Sequence, residues 1–285
     1  MSIVNELKFK MFRSGSRMYL FIGINILIFL IIGITGTFQK LFTGTTTAAD
    51  WMEQQLAMPA FLPELPYRIW TVVTYMFSHR DLFHIVFNLL WLYWMGRIFE
   101  DFLNKRQFTF TYFAGGLAGA LFFILAYNVF PVFSVVLPYS SLIGASASVM
   151  AIVVATATLL PDYSINLLFF GSVRLKYLAV VYVLLDIIAV AGKNPGGSFA
   201  HLGGAALGYI YIVQLRRGND WSKLFHRKPK LRPIRNEAAS IRRPASELPD
   251  QDVIDEILDK ISRSGYDSLT KAEKEQLFRA SNKKE

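Results

Sequence analysis

The sequence predicts an all-α membrane protein with six transmembrane helices and a small cytoplasmic tail of short helices. Hydrophobic residues make up 53% of the 285 positions and charged residues only 18%, a smaller charged share than in a typical soluble domain. Residues 18–215 hold 9 Lys/Arg and 8 Asp/Glu, whereas residues 216–285 hold 17 and 12. Six apolar runs approach the length that crosses a bilayer: 18–35, 79–99, 108–130, 141–160, 173–191 and 199–215.

These runs divide the chain into four parts. Residues 1–17 form an N-terminal segment, 18–215 the six-span domain, 216–251 a basic linker beside the membrane, and 252–285 a tail of two short helices. The first run follows several basic residues, as in a signal peptide, but no small-residue cleavage site follows it. We therefore expect the first run to be a transmembrane helix.

Positive charge sets the predicted orientation. Lys and Arg lie before run 1, between runs 2 and 3, between runs 4 and 5 and after run 6, whereas the loop between runs 3 and 4 is uncharged. Because basic loops stay on the cytoplasmic side, both termini are expected in the cytoplasm, beneath a bacterial-type inner membrane. The basic residues beside runs 2 to 6 are Arg97, Lys105, Arg106, Arg174, Lys176, Arg216 and Arg217.

The sequence also predicts structure and contacts for the segments outside the apolar runs. The long outer loop 36–78 is expected to contain a short interfacial helix at 50–56, and such long loops often have a function. The segment 216–243 carries ten Lys/Arg and two acids, which favours contact with anionic lipid and predicts no nucleic-acid partner. Residues 252–279 have the spacing of two short helices, forming either a self-packed hairpin or a module that binds a protein partner.

The composition excludes several classes of chemistry. With no cysteine, the chain cannot form disulfides, thiolate metal sites, iron–sulfur clusters or a thiol nucleophile. A haem or metal protein could use His84 and His201, but no HExxH motif or inward carboxylate cluster accompanies them. A transporter would usually show internal repeats and broken helices near the midplane, and no repeat is evident. We therefore expect no metal and no cofactor.

Polar residues inside the apolar runs mark the candidate site, because such groups are costly in a membrane and are functional candidates. Ser146, His201 and His84 lie near the outer ends of runs 4, 6 and 2, and Asn88 lies one helical turn deeper than His84. Four polar groups on three helices are thus expected at similar depth. The other polar residues considered in the runs are His79, Ser148, Asn25 and Asp186.

Ser146 and His201 have the chemistry of a nucleophile and its base. A serine hydroxyl is a poor nucleophile until a base removes its proton, and an imidazole can accept and return a proton near neutral pH. The tetrahedral oxyanion needs hydrogen-bond donors, which His84, Asn88 and the Ser146 N–H can supply. Small residues recur every four positions around His201, which permits close helix packing: Gly196, Ala200, Gly204 and Gly208.

Together these motifs resemble those of the rhomboid intramembrane serine proteases. The order and the placement on runs 2, 4 and 6 are similar too, and the resemblance covers about residues 10–215. It implies a bacterial-type, six-span rhomboid-like bundle, and the tail is similar to the short helical tail of some bacterial members. The residues that carry the resemblance are His79, His84 and Asn88, then Gly144-Ala145-Ser146, then Ala200-His201-Leu202-Gly203-Gly204 with Gly208.

The resemblance implies an intramembrane serine endopeptidase that cleaves transmembrane segments of other membrane proteins near the outer face. Ser146 and His201 would form a Ser–His dyad, with His84 and Asn88 in the oxyanion hole. His79 matches the first histidine of the family's span-2 motif, and a structural or substrate-loop role is favoured over a catalytic one. Glu100 matches an acidic residue at the inner end of that span, where a structural role is implied. The alternative is a catalytically inactive rhomboid-like protein that binds membrane-protein clients.

Three features depart from the family pattern. Ala147 stands where the family often has glycine, and alanine is small enough that activity is expected to survive. Met150 stands where many members place an aromatic residue against the catalytic histidine. The Trp-Arg dipeptide of the first loop is represented only by Arg68 and Trp70 in altered order.

Two further predictions concern run 5 and the loop that follows it. Asp186, in run 5, is interpreted as a helix-packing residue rather than a proton-relay group, so no carboxylate is expected to orient His201. The loop 192–198 precedes His201 and is rich in glycine. With run 5, it is expected to form a mobile cap that admits substrate.

Overall fold

The chain divides into two units, Met1–Arg227 and Lys228–Glu285. The computed structural model describes residues 15–167, 171–224 and 251–281, together with residues 5, 9 and 13. Most of the predicted N-terminal segment and of the basic linker lies outside the described residues.

Helices occupy each of the six predicted apolar runs of the first unit. Two shorter helices, in the long loop after the first run, also lie among the described residues. In chain order the helices are α1 (Arg17–Thr43), α2 (Thr47–Leu56), α3 (Thr71–Thr74), α4 (Leu82–Phe102), α5 (Lys105–Val129), α6 (Ser146–Leu159), α7 (Leu175–Ala189) and α8 (Pro195–Arg216).

Three of these helices, α1, α4 and α5, are long and apolar enough to cross a membrane, and α6 is a shorter apolar helix. The predicted helical class of the body is therefore confirmed, while the number of six spans stays a prediction. The helix predicted at 50–56 is present as α2.

The helices α4 and α6 begin later than the predicted runs 2 and 4, each for a local reason. The helix α4 begins at Leu82 because the Asp81 side chain caps it, accepting from the His84 N–H at 2.9 Å. His79 therefore lies before the helix and not within it. The helix α6 begins at Ser146, after Gly144 takes a positive φ of 121°, so the predicted helical start at 141 is wrong.

The core of the first unit is built around α6. Every residue from Ala147 to Ala157 is buried, as expected for a helix that is apolar on all sides. The helix α8 packs along both α5 and α6. Small residues permit this: a Cβ at Gly204 would lie 2.1 Å from the Ala147 carbonyl oxygen, and one at Gly208 would lie 2.3 Å from that of Ala151.

Two short antiparallel strand pairs connect the helices. Strand β1 (Met58–Pro59) pairs with β2 (Ser141–Leu142) and so joins the long first loop to the segment before Ser146. Strands β3 (Ser164–Leu167) and β4 (Gly171–Arg174) form a hairpin between α6 and α7. The sequence predicted only a basic connection between runs 4 and 5, with no strands.

The second unit contains the two predicted tail helices, α9 (Gln251–Ser264) and α10 (Lys271–Ser281). Ile257 of α9 and Leu269 of the connection are buried. Thr270 and Glu273 cap α10: Glu273 Oε2 accepts from the Thr270 N–H at 2.7 Å, and Lys260 Nζ lies 3.0 Å from the same oxygen. These contacts, the Thr270 N–H first and the Lys260 ammonium next, lower the pKa of Glu273 to about 2.

Candidate active site

A cavity of about 1110 Å³ is lined by residues of α4, α6, α7 and α8. Ser146, His201, His84 and Asn88 all lie on its wall, so three different helices bring the four predicted residues to one space. The rest of the wall is largely aromatic and aliphatic, and it includes Phe83, Phe87, Trp91, Leu178, Val181 and Leu185. An apolar cavity with a few convergent polar groups is the usual form of a binding or active site.

Ser146 is the first residue of α6, and the segment before it is held from several sides. The Gly144 N–H donates to the Tyr75 carbonyl at 2.9 Å. A Cβ at Gly144 would lie 2.7 Å from the His84 ring, so both the positive φ and the close approach require glycine. The N–H groups of the first helical turn have no acceptor within the helix, which leaves the Ser146 N–H free of an intrahelical bond.

His201 lies in the second turn of α8. The helix begins with Pro195 after Asn194, whose side chain accepts from the Gly197 N–H at 3.1 Å. Proline at the first helical position and asparagine before it are favoured helix-start residues. Ala200 is buried, and its carbonyl oxygen would lie 2.7 Å from a Cβ at Gly119 of α5. The close packing of α8 thus fixes the backbone next to His201.

Asp186 of α7 contacts the His201 ring, which corrects the expectation that no carboxylate lies at this histidine. Asp186 Oδ1 is 2.8 Å from His201 Nδ1, and the aspartate is buried. The Tyr182 ring, on the same helix face as Asp186, lies edge-on to the imidazole with 6.4 Å between ring centroids. Sequence reasoning missed both neighbours because they belong to a different helix. The signals were the acidic residue within apolar run 5 and the i, i+4 spacing of Tyr182 and Asp186.

His84 and Asn88 lie on one face of α4, as predicted from their spacing. The Asn88 side-chain amide donates to the His84 carbonyl at 2.8 Å. An amide nitrogen has two hydrogens, so one donor of Asn88 remains for another group. Asn88 is buried, and His84 is partly exposed on the cavity wall.

His79 does not line the cavity, and instead supports the segment that precedes Ser146. Its Nε2 accepts from the Ala145 N–H at 3.4 Å, and its ring lies edge-on to His84 at 4.9 Å. Burial, with the neighbouring His84 ring as a second cause, lowers the pKa of His79 to about 3. The imidazole is therefore neutral at physiological pH and can accept through Nε2.

No hydrogen bond joins Ser146 to His201 in the described part of the chain, although both side chains line the cavity. Catalytic hydrogen bonds are often long in the absence of substrate. Within the same described ranges, no group of three or more His, Asp or Glu side chains is arranged to hold a metal ion.

Other residues singled out in the sequence have structural contacts. Glu100 near the C-terminal end of α4 accepts from the backbone N–H groups of Arg17 and Met18 at 2.8 and 3.1 Å. Trp70 Nε1 donates to the Gln55 carbonyl at 2.8 Å, and Arg68 forms an ion pair with Glu64. The two departures from the family pattern on α6, Ala147 and Met150, are buried.

The fold and the cavity define a class of protein: a helical protein with apolar membrane helices and with a serine and a histidine on one cavity wall. Sequence comparison identifies the family. Residues 66–218 match the Rhomboid domain family, more than half of the chain, so the chain belongs to the rhomboid family. With its apolar helices, it is an integral membrane protein. Residues 248–283 match a second family, the family of unknown function DUF6576.

Similar proteins come from plants and bacteria. The chain is 32% identical to RHOMBOID-like protein 12, mitochondrial, of Arabidopsis thaliana, over 53% of this chain and 48% of that protein. It is 31% identical to Rhomboid-like protein 16, chloroplastic, of the same plant, over 53% and 50%. It is 30% identical to Rhomboid protease GlpG of Salmonella newport, over 30% and 35%. The chain thus spans about half or less of these relatives.

Proposed function

We propose that this protein is an intramembrane serine endopeptidase that cleaves transmembrane segments of other membrane proteins. The observation that carries the proposal is the meeting of Ser146, His201, His84 and Asn88 on one cavity wall, in a chain of the rhomboid family. A relative that bears the name protease, at 30% identity, supports the same class of activity.

In the proposed reaction, Ser146 Oγ attacks the carbonyl carbon of the scissile peptide while His201 accepts the serine proton. The tetrahedral intermediate collapses to an acyl-enzyme when His201 returns that proton to the leaving amine. A water molecule then attacks the acyl carbon with His201 again as the base, which releases the acid and restores Ser146. No metal or cofactor takes part in these steps.

The negative charge on the tetrahedral oxygen requires donors that are already in place. In the proposal these donors are the Ser146 N–H, the second amide hydrogen of Asn88 and a ring nitrogen of His84. The Ser146 N–H lies at a helix N-terminus, where the positive end of the helix dipole also favours an anion. Gly144 permits the His84 ring to lie against this segment.

Substrate is proposed to enter between α4 and α7. Residues of both helices line the apolar part of the cavity, and the Trp91 and Tyr182 rings meet across it with centroids 5.8 Å apart. The loop before α8 contributes Lys193 and Asn194 to the same wall. An unwound substrate segment would reach Ser146 by displacing this ring contact and the loop.

The wider setting of the site also belongs to the proposal. The six helices α1 and α4 to α8 would all cross a bacterial inner membrane, with both termini in the cytoplasm and Ser146 near the outer face. The basic segment 216–243 would contact anionic lipid headgroups, and the tail of α9 and α10 would pack on itself or bind a protein partner.

A catalytically inactive client-binding protein is the second candidate. The observation that favours it is the absence of a hydrogen bond between Ser146 and His201 among the described residues. Both catalytic side chains are nevertheless present and face the same cavity, which favours the protease.

The test is cleavage of a tagged transmembrane substrate by the purified full chain in liposomes. Ser146→Ala and His201→Ala should abolish cleavage, whereas Ser148→Ala should retain it. Ser148 is a matched control because it makes the same change two residues along α6, at a fully buried side chain off the cavity wall. A serine-reactive fluorophosphonate should label the wild type but not Ser146→Ala. Absence of both cleavage and labelling in the wild type would favour the inactive protein.

A further inference from the structure

We infer that Asp186 is a positioning residue, whose carboxylate holds the His201 ring so that Nε2 is free to act as the base for Ser146. This inference rests on the proposed function and goes beyond a two-residue dyad. Asp186 Oδ1 lies 2.8 Å from His201 Nδ1, within hydrogen-bond distance. The two residues belong to adjacent helices, α7 and α8.

The chemistry of the two groups fixes which nitrogen holds the proton. An ionised carboxylate can only accept hydrogen bonds, and a neutral imidazole has one N–H. The contact with Asp186 therefore places the hydrogen on Nδ1 and leaves the lone pair on Nε2. This tautomer can remove a proton from a serine hydroxyl, whereas the opposite tautomer cannot.

The Asp186 carboxylate also stabilises the His201 ring after the ring has accepted the serine proton. Once Nε2 has accepted the Ser146 proton, the ring is an imidazolium ion in an apolar cavity, where an unpaired charge is costly. The Asp186 carboxylate pairs with that charge and gains no proton itself. When Nε2 gives its proton to the leaving amine, the ring returns to the neutral form with Nδ1–H still held.

The hydrogen bonds of Asp186 argue against a helix-packing role alone. Asp186 as a whole residue is 7% exposed, and a buried aspartate within apolar helices needs a partner. Among the described residues, Oδ2 has no hydrogen-bond partner, so His201 is the group that the carboxylate binds. The carboxylate therefore joins α7 to α8 through the His201 ring itself, so the contact that packs the two helices also orients the imidazole.

Among the described residues, the only hydrogen bond of the His201 side chain is the one with Asp186. The Tyr182 ring is edge-on at 6.4 Å and lies one turn before Asp186 on α7. Met150, at the family's aromatic position on α6, is buried and has no hydrogen-bond donor or charge to orient a ring. The charged residues that line the cavity are Arg80, Asp81 and Lys193.

The first test compares steady-state cleavage by wild type and Asp186→Asn, which keeps the side-chain volume and removes the charge. We expect kcat to fall about 10²-fold, within the range of general acid–base effects, while KM changes less than threefold and the thermal midpoint is nearly unchanged. Asp162→Asn, at an exposed acid paired with Lys176, is the matched control and should cleave as the wild type. Asp186→Asn within threefold of wild-type kcat would overturn the inference.

Two further measurements separate positioning from packing. Asp186→Ala should recover part of its lost kcat in sodium formate, because the small carboxylate can occupy the vacated space, whereas sodium chloride should give no recovery. In the wild type labelled with ¹⁵N-histidine, the signal missing in His201→Ala should have the Nδ1–H tautomer at neutral pH. The Nε2–H tautomer would overturn the inference even if every Asp186 variant failed to fold.

The failure of the inference is distinguishable from the failure of the proposed function. A wild type that neither cleaves the substrate nor reacts with fluorophosphonate removes the protease itself. A wild type that cleaves, together with an Asp186→Asn variant of equal kcat, leaves the protease intact and removes only the role of Asp186.

Discussion

Gly204 of α8 lies against the backbone of Ala147 in α6, so closely that a Cβ on the glycine would be 2.1 Å from the Ala147 carbonyl oxygen. Ala147 directly follows the proposed nucleophile, and Gly204 follows the proposed base by three residues. The same alanine packs its Cβ against Gly119 of α5, where an added Cβ would lie 2.5 Å away. The separation of α6 and α8 is therefore set by backbone contact.

Gly204→Ala should destabilise the protein and reduce cleavage together. The new methyl group meets a backbone oxygen that cannot rotate away, so α6 and α8 must separate, at a cost of about 1–3 kcal/mol. Thermal unfolding in detergent, followed with the cleavage rate, measures both effects. Gly33→Ala is the matched control, because nothing lies within 4 Å of its added Cβ. Equal stability of the two variants would contradict the close packing.

Glu100→Ala should loosen the start of α1 without changing the chemistry of the site. The carboxylate accepts from the Arg17 and Met18 N–H groups, which otherwise have no intrahelical acceptor. Their loss should cost about 1–3 kcal/mol of unfolding free energy, measured by thermal or denaturant unfolding. Asp101→Ala, at the adjacent exposed acid, should be near wild type. A similar loss in both variants would show that the effect is not specific to Glu100.

The pH dependence of stability should report on His79. Its pKa is about 3 in the folded protein and about 6.5 when unfolded, so between these values the unfolded chain binds more protons. The stability contribution is therefore complete above about pH 6.5 and is lost progressively as the pH falls toward 3. The drop in thermal midpoint from pH 7.5 to 4.5 should be smaller in His79→Gln, whose amide oxygen can still accept from the Ala145 N–H. An equal drop would contradict the buried, neutral imidazole.

Much of this structure was predictable because membrane helices have strong local signals. Apolar length located the six helical runs, and the i, i+4 spacing of His84 and Asn88 placed them on one face of α4. The helix starts were less predictable, since the cap at Asp81 and the positive φ of Gly144 depend on contacts that no hydropathy pattern records.

The contact between Asp186 and His201 could not be predicted from the sequence, for a different reason. It depends on the rotation of α7 against α8, which is set by packing of both helices on the rest of the bundle. A single aspartate in an apolar run has the same sequence pattern whether it packs, relays a proton or orients a base. Similarly, the contact between His79 and Ala145 could be predicted only by knowing that the segment before α4 packs against the start of α6.

Linking α4 to α7 should block cleavage of membrane substrates while leaving the catalytic residues reactive. Trp91 and Tyr182 contact each other across the proposed entrance, and because the chain has no cysteine, a Trp91→Cys/Tyr182→Cys pair is the unique target of a cleavable bifunctional thiol reagent. The reduced double variant should cleave a transmembrane substrate, the linked form should not, and reductant should restore the activity. Each single variant treated with the same reagent is the control.

Labelling by the small fluorophosphonate probe distinguishes blocked substrate entry from damage to the catalytic residues. It needs no wide opening, and a linked α7 stays docked with Asp186 against His201, so Ser146 should be labelled equally in the linked and reduced forms. Loss of labelling on linking would mean that the link damages the site. Full cleavage of the transmembrane substrate in the linked form would place substrate entry elsewhere, between a pair of helices other than α4 and α7.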